Sequence, residues 1–210
     1  MVQVNRFAAA ALILSFGMFP ALAQSPSANM SFFVTSLNPG NGGNLGGLDG
    51  ADAYCHSLAD NVGADDKTWH AYLSTDTVDA RDRIGDGPWY NSAGVQIAAS
   101  VADLHSNNNN LTAATALNER GALPNYIGGE PPLEHDVLTG TNEDGTASDM
   151  TCNNWTDGSA DSAAMLGHAD RLGRDPGVNS WNAVHPSQGC GMENLAPTGG
   201  AGLYYCFAID

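Results

Sequence analysis

Residues 203–209, LYYCFAI, give the strongest strand signal in the chain, because aromatic and aliphatic residues surround Cys206 without a break. The glycine-rich segment 199–202, GGAG, introduces this strand. Residues 30–36, MSFFVTS, have the same character near the other end of the chain. We therefore expect the first and last strands to be neighbours in one sheet.

The best helix signal lies between these strands, after a turn-rich loop at residues 38–47. Apolar residues recur at spacings of three and four from 51 to 62, Asp49 can cap the helix, and Gly63 can end it. Cys55 would lie on its buried face. Residues 68–74, TWHAYLS, alternate as a strand does, and a short helix capped by Asp76 is expected over 75–84.

The rest of the chain is rich in loops. Residues 118–136 contain three glycines and three prolines, so little regular structure is expected there. Short strands are expected at 89–90, 95–98, 137–139 and 151–156. The pattern predicts an α+β domain with one or two helices packed on short antiparallel strands.

The first 23 residues have the three parts of a secretory signal: a positive charge at Arg6, an apolar run over 7–19, and Ala21-Leu22-Ala23 for cleavage. The run is too short to cross a bilayer of roughly 30 Å as a helix. We expect a signal peptide at 1–23 and one domain at 24–210, secreted or periplasmic.

The charge of the chain excludes several kinds of partner. Seven basic residues stand against 23 acidic ones, giving a net charge of −16. Nucleic acid, anionic membranes and heparin-type polyanions all need clustered Lys and Arg, so none of them is expected as a partner. Neutral or cationic ligands suit such a surface, as do divalent cations held by oxygen.

All four cysteines, Cys55, Cys152, Cys190 and Cys206, fall within the expected mature domain. An even number in an exported chain predicts two disulfides. No pair has the C-x-x-C spacing of a zinc knuckle or a thioredoxin-type motif. The residues alone leave three pairings open.

Several segments together resemble the C-type-lectin-like fold, and its endostatin-like branch in particular: GLDGADAYC at 47–55, WHAYLS at 69–74, VLTGTNEDG at 137–145, CNNWT at 152–156 and GLYYCFAI at 202–209. Uncharacterised exported bacterial proteins labelled lectin-like are similar over nearly the whole domain. The resemblance implies nested disulfides, Cys55–Cys206 and Cys152–Cys190. It also implies a non-catalytic recognition module for a glycan or a protein of the cell envelope.

Sugar-binding members of that fold hold calcium with a Glu and an Asn of a long loop and with a W-N-D tripeptide. Here Trp181-Asn182 is followed by Ala183, and Glu130 by two prolines, so two calcium ligands are missing. Trp181, Asn182 and Glu130 remain candidates for ligand binding. Trp155 is another, since an aromatic face can pack against a sugar ring.

A second candidate calcium site comprises four acidic or amide residues, Asn142, Glu143, Asp144 and Asp149. Their spacing does not match an EF-hand, and residues 142–145, NEDG, also fit a simple turn.

The rival function is enzymatic, although no catalytic motif occurs and a non-enzyme is expected. The motifs H-E-x-x-H and G-x-S-x-G are both lacking. A metal-dependent hydrolase would need His135, Asp136, His168, Asp170 and His185 to converge, which spacing alone does not show. Surface or structural histidines are the alternative, and a purely structural envelope protein is a third interpretation.

Overall fold

The computed structural model describes Met1 and residues 25–126, 129–172 and 180–210. The predicted signal peptide lies outside the described residues, apart from Met1. The described part is α+β, as expected. Its strands are β1 (Phe32–Val34), β2 (Trp69–Ala71), β3 (Trp89–Tyr90), β4 (Gln96–Ala98), β5 (Asp136–Leu138), β6 (Met165–His168), β7 (His185–Pro186) and β8 (Gly200–Ala208). Its helices are α1 (Gly47–Asp60), α2 (Val101–Leu104), α3 (Cys152–Trp155) and α4 (Met192–Leu195), with 3₁₀ turns at Ala80–Asp82 and Ala196–Thr198.

Strand β8 organises the main sheet, whose order is β1-β8-β5-β6-β7, with β2 also paired to β8. Phe33 lies opposite Cys206, which confirms that the first and last strands are neighbours. The pairing of β5 with β8 is parallel, whereas only antiparallel pairs were expected. A long connection between β5 and β8 makes this direction possible.

Side chains alternate across β8 and divide the apolar core into two clusters. Tyr204 and Cys206 face α1, and Tyr205 and Phe207 face the other side of the sheet. Both faces of the strand are buried, which explains why residues 203–209 read as a continuous apolar run.

Two disulfides tie these layers together. Cys55 of α1 bonds to Cys206 of β8, and Cys152 bonds to Cys190. The nested pairing implied by the resemblance is confirmed. Assignment to the C-type-lectin-like fold itself stays a prediction.

Helix α1 begins earlier than expected. Its N-cap is Gly46 in a left-handed conformation, and Asp49 lies exposed within the first turn without capping. Gly63 has a φ of +76°, consistent with the expected end of the helix.

Two predicted elements are wrong. Residues 75–84 form a tight turn and a 3₁₀ turn, because Thr75 and Val78 pair with each other and use the backbone groups a helix would need. Residues 151–156 instead contain α3, a single turn in which all four residues, Cys152–Trp155, have positive φ. Positive φ values lie outside the β region, so these residues cannot form the expected strand, and the turn buries both Cys152 and Trp155.

Among the residues that the structure describes, no helix is long and apolar enough to cross a membrane.

Candidate metal centre

Three neighbouring strands and the residue before one of them bring four titratable side chains together. Asp136 opens β5 and lies opposite His168 at the end of β6. His185 is the first residue of β7 and lies opposite Leu166 of β6. His135 directly precedes β5, so its side chain joins the group from the adjoining loop.

One oxygen of Asp136 is the centre of this group. Asp136 Oδ1 lies 3.1 Å from His135 Nε2, 3.2 Å from His168 Nε2 and 3.7 Å from His185 Nε2. The two nitrogens His168 Nε2 and His185 Nε2 are 3.2 Å apart. All three imidazoles thus present the same ring atom to one carboxylate.

The Asp136 carboxylate is buried, and no described group offsets the cost of removing its charge from water by donating a hydrogen bond. The residue is 1% exposed, and neither of its oxygens has a hydrogen-bond partner among the described residues. The nearby nitrogens lie at short distances but not in the direction that an N–H···O bond requires. A buried carboxylate in this state needs a cation, either protons on the imidazoles or a metal ion.

The hydrogen bonds of the outer ring nitrogens fix the tautomer that the neutral rings of His168 and His185 adopt. His168 Nδ1 donates to the Leu172 carbonyl at 2.6 Å, and His185 Nδ1 donates to the Pro186 carbonyl at 3.0 Å. A carbonyl only accepts, so both protons of the neutral rings lie on Nδ1. This tautomer leaves Nε2 of each neutral ring as the nitrogen available to a metal ion beside Asp136, as metal ligation requires.

His135 has competing partners. Its Nε2 lies 3.3 Å from the Thr198 carbonyl as well as 3.1 Å from Asp136, so coordination would draw this nitrogen away from Thr198. Its Nδ1 lies 3.5 Å from Asp170 Oδ1, beyond an ordinary hydrogen bond but close enough for charge attraction. Burial lowers the pKa of His135, yet Asp170, Asp136 and Thr198 together outweigh it and leave the pKa raised.

Gly199 allows His135 to take this position. It has a φ of +105°, and a Cβ there would lie 2.6 Å from Cδ2 and 2.7 Å from Nε2 of the His135 ring. The backbone amide of Asp136 also donates to the Gly199 carbonyl, at 3.1 Å. Gly199, the residue directly before β8, therefore forms one side of the site.

The residues predicted for sugar binding lie elsewhere. Trp181 is 3% exposed, and Trp155 is fully buried with its indole N–H donating to the Ser74 carbonyl at 2.7 Å. Neither indole has a face open for stacking. Glu130 is exposed in the loop before β5.

Asn182 supports a loop. Its amide nitrogen lies 2.9 Å from the Asn142 carbonyl and 3.1 Å from the Tyr72 hydroxyl, and its Oδ1 accepts from Ser180. The buried Tyr72 has its pKa raised by burial, so its hydroxyl stays neutral. These bonds hold the residues 142–145 turn against the domain.

The second predicted calcium group forms that turn. Gly145 donates to the Asn142 carbonyl at 2.9 Å, and Asp144 accepts from both the amide and the hydroxyl of Thr146. These hydrogen bonds hold the pKa of Asp144 below its ordinary value. Glu143 and Asp149 are exposed.

Among the described residues, one group of three or more ionisable ligands lies within metal-binding distance: His135, Asp136 and His168. His185 adjoins it, and Asp170 contacts it through His135. All five residues of the rival, enzymatic interpretation are thus neighbours. The other described histidines, His56, His70 and His105, lie apart from this group.

The convergence had a weak signal in the sequence. His135-Asp136 precedes an apolar run, so a strand that starts at Asp136 places the carboxylate at the end of that strand. The parts played by Thr198 and Gly199 had no signal, because they depend on the parallel pairing of β5 with β8.

Models of known protein families give no match to the chain. No curated protein matches it at a significant level. The geometry around Asp136 is therefore the basis on which a function is inferred.

Proposed function

We propose that this domain binds a divalent transition-metal ion, with zinc as the best fit, through His135, Asp136, His168 and His185. The observation that carries the proposal is the Asp136 carboxylate: it is buried, has no hydrogen-bond partner within the described part of the chain, and is faced by three imidazole nitrogens at 3.1–3.7 Å.

The spacing of these atoms suits a small ion bound between them. Ligands at the corners of a tetrahedron around zinc are roughly 3.3 Å apart, since Zn–N and Zn–O bonds are about 2.0–2.1 Å long. Three of the four measured separations are 3.1, 3.2 and 3.2 Å. Small movements of side chains would therefore complete the coordination.

The chemistry of the donors selects the class of metal. Three imidazoles and one carboxylate suit zinc, copper or nickel, whereas calcium and magnesium require six or more oxygen ligands. The carbonyl groups of Leu172 and Pro186 orient two of the imidazoles, as outer partners do in zinc sites.

Calorimetric titration with Zn²⁺ tests the proposal. We expect one ion per chain, a strong loss of affinity in Asp136→Asn, and no change in His56→Ala, whose imidazole is exposed on α1. Ca²⁺ should not bind at this site. If Asp136 instead faces protonated imidazoles, Zn²⁺ will bind weakly and Asp136→Asn will not alter it, which would contradict the proposal.

A second function, recognition of a neutral glycan, is favoured by one cavity. The cavity measures about 350 Å³ and has a polar lining that includes His105, Glu143, Ser180, Trp181 and Asn182. Two of these residues were candidates for ligand binding from the sequence. None of the residues that line this cavity is one of the four proposed metal ligands.

A glycan-array screen of the oxidised protein, with and without EDTA, tests this second function. Binding that survives EDTA and is lost in Glu143→Ala would support recognition at the cavity. An absence of binding in both conditions would count against it. Export of such a lectin-like module to the cell envelope is part of the same proposal.

A further inference from the structure

His185 differs from the other three ligands in its exposure and its support. Its side chain is 33% exposed, whereas those of His135 and His168 are 6% exposed and that of Asp136 is fully buried. It lies on β7, a two-residue strand at the edge of the sheet. Solvent therefore reaches this ligand while the others are enclosed.

The position of His185 also leaves it the least tightly placed of the group. Its Nε2 is 3.7 Å from Asp136 Oδ1, against 3.1 and 3.2 Å for the other two histidines. The set of atoms that lie mutually within 4.8 Å comprises His135, Asp136 and His168 alone. Two histidines and one carboxylate thus form the compact core of the site.

A core of two histidines and one carboxylate is the ligand set that catalytic zinc sites use when they keep one position for water. Structural zinc sites are closed by four protein ligands. In this domain the fourth coordination position of the metal would face His185, and His185 lies on the solvent-exposed side of the site.

On the basis of the proposed metal centre, we infer that His185 is a replaceable ligand and that the metal keeps one solvent-facing position for a small neutral donor. Water fills this position when His185 is displaced, and an imidazole nitrogen can fill it as well. The core of His135, Asp136 and His168 retains the metal in either case.

Charge favours a neutral donor over an anion. The carboxylate of Asp136 would balance one of the two positive charges of the metal, and the carboxylate of Asp170 lies beside His135. The whole chain carries a net charge of −16, which repels further anions. A water molecule in this position would have its pKa lowered to about 7 by zinc, the basis of metal-assisted hydrolysis.

Removal of each ligand in turn tests the inference. We expect His185→Ala to keep Zn²⁺ within about tenfold of the wild-type affinity, while His135→Ala, Asp136→Asn and His168→Ala lose more than about 100-fold, beyond the usual effect of outer partners. His56→Ala is the matched control for removal of an exposed imidazole. Near-UV circular dichroism verifies that each variant is folded.

Cobalt substitution shows the open position directly. The visible spectrum of Co²⁺-loaded His185→Ala should change on addition of imidazole and return to that of the wild-type protein. If His185→Ala loses the metal as fully as the core variants do, or if imidazole leaves its spectrum unchanged, the inference is wrong while metal binding stands. If the wild-type protein binds neither Zn²⁺ nor Co²⁺, the proposed function itself fails.

Discussion

At the scale of single residues, the decisive group is the Asp136 carboxylate. Burial without hydrogen bonds is unfavourable for a carboxylate, and a metal ion would relieve it by direct coordination. The Nδ1 atoms of His168 and His185 are engaged with carbonyl oxygens, which leaves the Nε2 atoms of both rings on the Asp136 side. The fold thus prepares the ligands before an ion arrives.

Substitution of Gly199 by alanine should weaken metal binding although Gly199 is not a ligand. The added Cβ would clash with the His135 ring at 2.6–2.7 Å and displace it. We expect a loss of affinity for Zn²⁺ of about tenfold or more, the scale of outer-partner effects, measured by calorimetric titration.

Gly63→Ala is the control, since Gly63 also has a positive φ but its Cβ would meet nothing within 4 Å. Both variants should lose about 1–2 kcal/mol of stability from the strained backbone. Equal affinity for Zn²⁺ in the two variants would show that the His135 ring position does not matter.

Metal binding should weaken as the pH falls. In the metal-free protein the pKa of His135 is raised above the ordinary value, through Asp170 and Asp136, so this ring holds its proton to a higher pH than a typical histidine. Zn²⁺ must displace that proton, and the apparent affinity therefore declines as the pH falls through a value above about 6.5. Competition titrations across the neutral range measure the decline, and constant affinity from about pH 8 to pH 6 would contradict it.

At the scale of elements, Asp52 joins α1 to its neighbours more firmly than the residue predicted to cap the helix. Asp52 Oδ1 accepts from the backbone amide of Ala71 in β2 at 2.8 Å, and its Oδ2 lies 2.6 Å from Arg83 Nη2. Arg83 also donates to the Ala71 carbonyl. One carboxylate thus fixes the helix, the strand and the following 3₁₀ turn.

Asp52→Ala should lower the free energy of unfolding by about 2–3 kcal/mol, because it leaves the nearly buried Arg83 without its carboxylate partner. Asp49→Ala should cost at most about 1 kcal/mol, since Asp49 contributes only its charge near the helix N-terminus. Urea denaturation compares the two variants. A larger loss for Asp49→Ala would restore the capping role that the sequence indicated.

Local patterns predicted the elements where apolar residues recur at a helical spacing or form an unbroken run. The spacing of apolar residues from 51 to 62 identified α1, and the run at 203–209 identified β8. The pattern failed at 151–156, where asparagines tolerate positive φ and a disulfide holds the turn. It failed at 75–84 because the turn at Thr75 to Val78 takes precedence over helical hydrogen bonds.

At the scale of the whole molecule, the two disulfides close loops of very different length. Cys55–Cys206 spans 151 residues and Cys152–Cys190 spans 38. In the chain-entropy model they contribute roughly 5 and 4 kcal/mol, respectively. The two apolar clusters, one on each face of the sheet, and the long loops therefore depend on the disulfides for their arrangement.

Removal of the outer disulfide should destabilise the domain more than removal of the inner one. We expect Cys55→Ala with Cys206→Ala to lower the thermal midpoint further than Cys152→Ala with Cys190→Ala, as measured by differential scanning calorimetry. Reduction of both bonds should unfold the protein. A reduced protein with an unchanged midpoint would contradict this account of its stability.

The sequence could name the five residues of the metal centre but could not assemble them. His135 and His185 are 50 positions apart in the chain, and their meeting depends on the pairing of β5, β6 and β7. The sequence favoured the segment around Trp181 and Asn182 because its letters resemble a lectin motif. In the structure the Asn182 amide donates to the 142–145 turn, a role that the sequence alone does not reveal.

The most direct test of the metal centre is anomalous diffraction at the zinc edge from crystals of the oxidised protein grown with Zn²⁺. We predict one strong peak about 2.0–2.1 Å from Asp136 Oδ1 and from Nε2 of His135 and His168, on the side that His185 faces. A structure in which zinc binds elsewhere and the Asp136 carboxylate is hydrogen-bonded to protonated imidazoles would contradict the account.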